Sequence, residues 1–241
     1  MFRRLSLIVA AMTVFMLVLS PAAFGKSKVA TYEVTITNLT DGQPLTPPVA
    51  YTHKKKVDLF EAGEAASYEL MALAENGNSG PLFTALDGDK HVYDSLQAAA
   101  PLVPASDPGM SGFSDTVTLT VTATGGAKYL TVASMLICTN DGFTGVEGLR
   151  LPKKVGDSKT VMSAAYDAGT EINTENFANI VPPCQGLIGV TGAPGTGTSE
   201  PGLAEGGVVA HHAGIAGGSD LVPGVHGWTN PVVSITVERV G

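Results

Sequence analysis

Three acidic side chains could act together on one ion. Asp141 lies in "CTNDGFTG" (138–145), and Asp167 and Glu171 lie in "YDAGTEINTE" (166–175). Both stretches contain glycine, in a chain where only 15% of residues are charged. Asp141 follows an apolar run and precedes Gly142. Asp167 and Glu171 are four apart, and Gly169 between them lets the chain curl, so both carboxylates can turn toward one point. Three carboxylates brought together without a cation repel one another and are pushed toward protonation. A divalent ion removes that penalty, and calcium takes six to eight oxygens from carboxylates, backbone carbonyls and water at about 2.3–2.6 Å. Two other readings stand beside it. A pair of these acids could be the acid and base of a glycosidase, about 5–9 Å apart. Asp167 could simply cap a turn while Glu171 opens a short helix. The spacing is not that of an EF-hand.

Other residues invite chemistry less strongly. His211, His212 and His226 raise zinc, but adjacent residues on a strand face opposite ways, and the spacing of the three is no recognised zinc pattern. They read better as loop-capping groups or as partners of Trp228, the single tryptophan, which is read as core rather than as a sugar-stacking platform. Lys54, Lys55 and Lys56 could touch an acidic glycan or a lipid headgroup. They read first as a solvated edge that discourages strand pairing. No Gly-x-Ser-x-Gly elbow occurs, and "GAPGTGTSEPG" lacks the lysine of a phosphate-binding loop.

The elements that must position these residues begin after an address. "MFRR" is basic, "LSLIVAAMTVFMLVLS" (5–20) is apolar, and "PAAFG" offers small residues for a cut after Gly25. That is the pattern of a secretory signal peptide over 1–25. The apolar run is shorter than the roughly 20 residues of a spanning helix. No later segment is long and apolar enough to span, so the mature chain is expected to lack a transmembrane segment. In an oxidising compartment the only two cysteines, Cys138 and Cys184, suggest one disulfide, with two free buried thiols as the alternative. A bridge would enclose both acidic stretches in a loop of about 45 residues, for which loop-closure entropy predicts roughly 4 kcal/mol.

Strand patterns dominate the rest. Residues 28–40 alternate, with Tyr32, Val34 and Ile36 on one face. Residues 49–60 extend as a second strand, and 61–77 read as a short helix stopped by Asn76-Gly77. A Pro-rich loop spans 95–112. Residues 113–126 alternate strongly, with Val117, Leu119 and Val121 inward, and 127–138 is a buried strand running into the first acidic turn. Residues 186–207 form a long Gly-rich loop. Residues 230–241 are a final strand, with Pro231 at its start, and the first and last strands are expected to pair. Strands joined by long loops, with one or two short helices, predict an all-β antiparallel sandwich, read as a single domain over 26–241.

The net charge of −8 argues against nucleic acid, which demands dense positive charge, and favours cations. The 44% apolar content is enough for a sizeable core and excludes global disorder.

Whole segments carry a resemblance. "SMLICTNDGFTGVEGLRLP", "AAYDAGTEINTENFANIVPP", "THKKKVDLFEAGEAASYELMALAENGNSGPL" and "HHAGIAGGSDLVPGVHGWTNPVVSITVERV" resemble the spondin amino-terminal domain family in its bacterial branch, over about residues 30–240. The resemblance implies an eight-stranded sandwich, similar to calcium-dependent membrane-binding domains, with a calcium ion at one end. Asp141 and Asp167 match the family's metal-ligand positions. Glu171 stands where animal members carry Asp, one methylene shorter. The animal cysteine pattern is not reproduced, so a Cys138–Cys184 bridge rests on counting. Animal members are matrix and adhesion proteins. The resemblance therefore implies a secreted, non-enzymatic, calcium-binding module with an extracellular protein or glycan ligand. A metal- or carboxylate-dependent secreted hydrolase and a structural envelope or matrix component are the alternatives.

Overall fold

The computed structural model describes residues 28–241, so the signal-peptide reading of 1–25 lies outside the described residues. Among the described residues, ten strands form two antiparallel sheets. The four-stranded sheet has the order β4-β1-β10-β7, built from β1 (Ala30–Asn38), β4 (Thr116–Ala123), β7 (Ser158–Ser163) and β10 (Val233–Arg239). The six-stranded sheet has the order β3-β2-β5-β6-β8-β9, built from β2 (Val49–His53), β3 (Val92–Gln97), β5 (Tyr129–Met135), β6 (Gly142–Arg150), β8 (Ala165–Asp167) and β9 (Ala210–His211). The fold is the all-β sandwich that the patterning predicts. β8 and β9 are only three and two residues long, and without them the strand number is the expected eight. No helix among the described residues is long and apolar enough to cross a membrane.

The first and last strands pair, from Tyr32↔Arg239 to Asn38↔Val233. β1 alternates as its sequence does: Tyr32, Val34 and Ile36 are buried, while Glu33 faces solvent. These side chains meet Ala50, Leu130, Val132 and Leu149 of the other sheet in the main core. The six-stranded sheet is covered on both faces. Its outer face packs Val49, Tyr51 and Phe143 against Leu70 and Leu73 of α1 (Tyr68–Asn76) and Leu82 and Leu86 of α2 (Gly80–Leu86). That double cover is why β2 is buried at every position.

Differences from the sequence reading have local causes. The helix expected over 61–77 begins only at Tyr68. Ser67 caps it, its hydroxyl accepting from the Leu70 N–H at 3.2 Å, and Gly63 at φ +94° lies in a turn ahead of it. Its stop is as expected: Gly77 is left-handed, and its N–H donates to Leu73 O at 3.0 Å. The second strand stops at His53 rather than running to residue 60. More helix is present than one or two pieces, with α2, α3 (Pro183–Ile188) and α4 (Pro223–His226) each carrying Pro in the first turn. At seven, six and four residues they are too short to show a helical period. β3, β6, β7, β8 and β9 carry no clear strand pattern in the sequence, and β3 takes up the first three residues of the Pro-rich loop expected over 95–112. β6 carries three glycines, and a Cβ at Gly145 would lie 2.1 Å from Val132 O, so close strand approach replaces the usual β-branched signature.

Candidate metal centre

Asp141 is positioned by a tightly closed turn between β5 and β6. Leu136 N–H donates to Gly142 O at 2.8 Å, the Thr139 hydroxyl donates to Leu136 O at 2.6 Å, and Gly142 N–H donates to Thr139 Oγ1 at 2.9 Å. A Cβ at position 142 would fall 2.5 Å from that hydroxyl oxygen, so the turn requires glycine. Cys138 and Cys184 are disulfide-bonded, with Cα atoms 5.1 Å apart, which ties this turn to α3. Gln43 clamps the same residue from the other side: its Oε1 accepts from Cys138 N–H at 3.1 Å and its Nε2 donates to Cys138 O at 3.2 Å.

Asp167 comes to the same rim through sheet pairing, because Gly142 pairs with Asp167 across β6 and β8. The chain then curls at Gly169, which has φ +69° and would place a Cβ 2.6 Å from Val208 N. The curl aims the backbone of 170–171 at Asp141. Asp141 Oδ2 accepts from Thr170 N–H at 2.7 Å, from the Thr170 hydroxyl at 3.2 Å and from Glu171 N–H at 3.1 Å. Asp141 is fully buried, and its second oxygen, Oδ1, has no hydrogen-bond partner among the described residues.

The other two carboxylates are partly engaged elsewhere. Asp167 Oδ1 accepts from Gly169 N–H at 2.8 Å and Oδ2 from Asn173 Nδ2 at 2.5 Å. Glu171, 3% exposed, accepts from Glu200 N–H at 2.7 Å. The three residues are thus electrostatic neighbours centred on Asp141. Among the described residues, however, no group of three or more His, Cys, Asp or Glu side chains forms a ready-made metal cage.

The charges press on one another. Burial, and then the charge of Asp167, push the Asp141 carboxyl up to about 6 against three hydrogen bonds that favour its ionised form. Burial pushes Glu171 up to about 7, with Glu75, Asp141 and Glu200 adding to it. An ionised Asp141 with one buried oxygen that no protein group hydrogen-bonds is poorly served by protein donors alone, since an unpaired buried charge costs more than a lost hydrogen bond. A hard cation bound through oxygen fits that donor set.

Sequence reasoning missed two supports of the node. Asn140 Oδ1 accepts from Thr174 N–H at 3.1 Å and Glu175 N–H at 3.4 Å, locking the two loops together. Glu175, at φ +55°, accepts from the consecutive N–H groups of Ala216, Gly217 and Gly218. Burial opposes its ionisation, but these amides and His212 hold its carboxyl below the usual range. Its partners lie some forty residues downstream in a Gly-rich stretch, so no local signal marks it. The histidines separate by face: His211 stacks on Tyr166 at 5.0 Å, while His212 is buried edge-on to Trp228 at 5.0 Å. Trp228 itself packs half-buried against the main core.

A two-sheet antiparallel sandwich with a disulfide-tied acidic rim is an extracellular type of module. The chain belongs to the Spondin_N family, whose model matches residues 42–180, a narrower span than 30–240 because β1 and everything after Ile180 fall outside it. No curated protein matches the chain.

Proposed function

We propose that this chain is a secreted, non-enzymatic recognition module of the adhesion type, whose acidic rim is stiffened by calcium held at Asp141, Asp167 and Glu171. The observation that carries the reading is the buried, unpartnered Oδ1 of Asp141 beside two further carboxylates. Calcium would neutralise the mutual repulsion of these groups and draw its remaining oxygens from backbone carbonyls and water. Near-complete burial of Asp141 and Glu171 supports a binding and structural role over catalysis, because a substrate could not reach them. An extracellular protein or glycan is the ligand class that suits such a module.

The test is thermal unfolding with calcium and with chelator. At a free calcium level a hundredfold above its Kd, binding contributes about 2.7 kcal/mol. For a chain of this size that raises Tm by about 5–10 °C. Asp141→Asn combined with Asp167→Asn should abolish the response. Protein that contains no metal by elemental analysis and melts identically in chelator refutes the reading.

A further inference from the structure

The Lys and Arg residues are dispersed in sequence but not in space. Of the 14, Arg3, Arg4 and Lys26 precede the described residues; the other eleven all stand at one end of the sandwich. The strand pairings establish this. β5 and β6 run antiparallel, so Lys128, just before β5, and Arg150, at the end of β6, share the end opposite the Asp141 turn. His53 pairs with Tyr129 and with Val92, which brings Lys54, Lys55 and Lys56 after β2 and Lys90 before β3 to the same end. Tyr32 pairs with Arg239 and Glu238 with Ser158, which adds Lys28, Arg239, Lys159 and the Lys153–Lys154 turn. Lys54 Nζ donates to Lys90 O at 2.9 Å, and a Cβ at Gly126 would lie 3.5 Å from Lys54 Cε.

At the centre of this end is a cleft of about 350 Å³. Lys28, Lys128, Arg150, Lys153 and Arg239 line it, and no lining residue is acidic. Its wall is apolar in part, with Tyr32 fixed by donating its hydroxyl to Pro152 O at 3.2 Å. Arg239 is braced as well, donating from Nε to Gly241 O at 3.0 Å and from a terminal nitrogen to Lys153 O. Three apolar side chains are exposed among the cations: Val29, Val155 and Val240.

We propose that this end docks on an anionic phospholipid surface, one headgroup phosphate entering the cleft. The cations come from both sheets and from several separate connections, so they ring the whole end instead of lining one furrow. The same register brings Asp89, Asp157 and Glu238 to this end, but the cations outnumber them, so a broad anionic surface meets net positive charge there, whereas a single polysaccharide chain would follow one track. The exposed valines gain from the interfacial region of a bilayer, and a sugar chain would offer them little. A protein with net charge −8 that gathers its described cations on one face is steered to such a surface in one orientation. The docking does not use the Asp141 node and requires no calcium.

The experiment is co-sedimentation of the exported protein, in chelator, with vesicles of phosphatidylcholine containing phosphatidylglycerol and with phosphatidylcholine alone. Binding should occur only to the anionic vesicles and should vanish at high salt. Each cation removed should weaken partitioning about fivefold, so Lys128→Glu with Arg150→Glu should cost more than tenfold while the melting temperature holds. Val29→Ser with Val155→Ser should weaken binding about threefold and leave its salt dependence intact. Equal binding to neutral vesicles, unchanged partitioning of the charge-reversed variant, or retention on a sulfated polysaccharide without vesicle binding would each overturn the proposal. Because the assay contains chelator, its failure leaves the calcium reading standing, and the reverse also holds.

Discussion

The β5–β6 hairpin has two ends built on opposite principles. At one, residues 136–142 close on themselves, a disulfide and Gln43 clamp Cys138, and the acid Asp141 is sealed from water. At the other, Lys128, Arg150, Lys153 and Lys154 stand exposed around an open cleft. Buried charge acts strongly on its neighbours and shifts their protonation. Exposed charge is screened and adds little to folding, so it is free to serve a partner. The contrast makes the acidic end a determinant of stability and the basic end a determinant of encounter.

The sharpest way to break that contrast is to cut the clamp. Cys138→Ser with Cys184→Ser should cost roughly 4 kcal/mol of stability by the loop-closure argument. At two to four degrees per kcal/mol, calorimetry should record a Tm lower by about 8–16 °C. The same variant should respond weakly to calcium, since the Asp141 turn loses its tie to α3.

A smaller effect should appear on titration. The Asp141 and Glu171 carboxyls are raised in the folded protein, to about 6 and about 7. A raised folded value means that the folded state holds more protons, so the associated stability is present at low pH and is lost as pH climbs through those values. His53, His212 and His226, pulled down by burial, act in the opposite sense, adding stability as pH rises toward the ordinary histidine value of 6.5. The decline due to the two carboxylates falls between about pH 4 and pH 7, and melting in chelator should show it as the difference between the parent and Asp141→Asn over that range. Saturating calcium should flatten that decline, and Asp141→Asn should remove part of it. A parent-minus-variant difference that does not fall across this range in chelator contradicts the electrostatics.

The smallest effect belongs to the basic end. Lys128→Glu and Arg150→Glu, both at exposed positions, should each change stability by no more than about 0.5 kcal/mol and leave the calcium response untouched. Denaturant midpoints are the direct check. A loss of several kcal/mol would show that this end is structural after all.

Much of the architecture was legible in the sequence where burial is one-sided. β1, β4 and β10 alternate because one face meets the core, so the sequence pattern marks all three, and β1 and β10 pair as expected. β6 and β7 were not legible, since one is shaped by glycines at close approach and the other is a polar edge. The two acidic loops could be read as a unit, because their carboxylates and glycines are local signals. The Asn140 and Glu175 contacts could not, because their partners come from distant loops. Nor could the clustering of cations, since antiparallel register alone gathers side chains from eight separate places along the chain.

β10 lies between β1 and β7, and within its sheet β7 has no other neighbour. The final nine residues of the chain are therefore the keystone of the smaller sheet. Until residue 239 is delivered, the scaffold has two raw strand flanks and no way to join them, so a shortened chain would expose sticky edges rather than merely lose a tail.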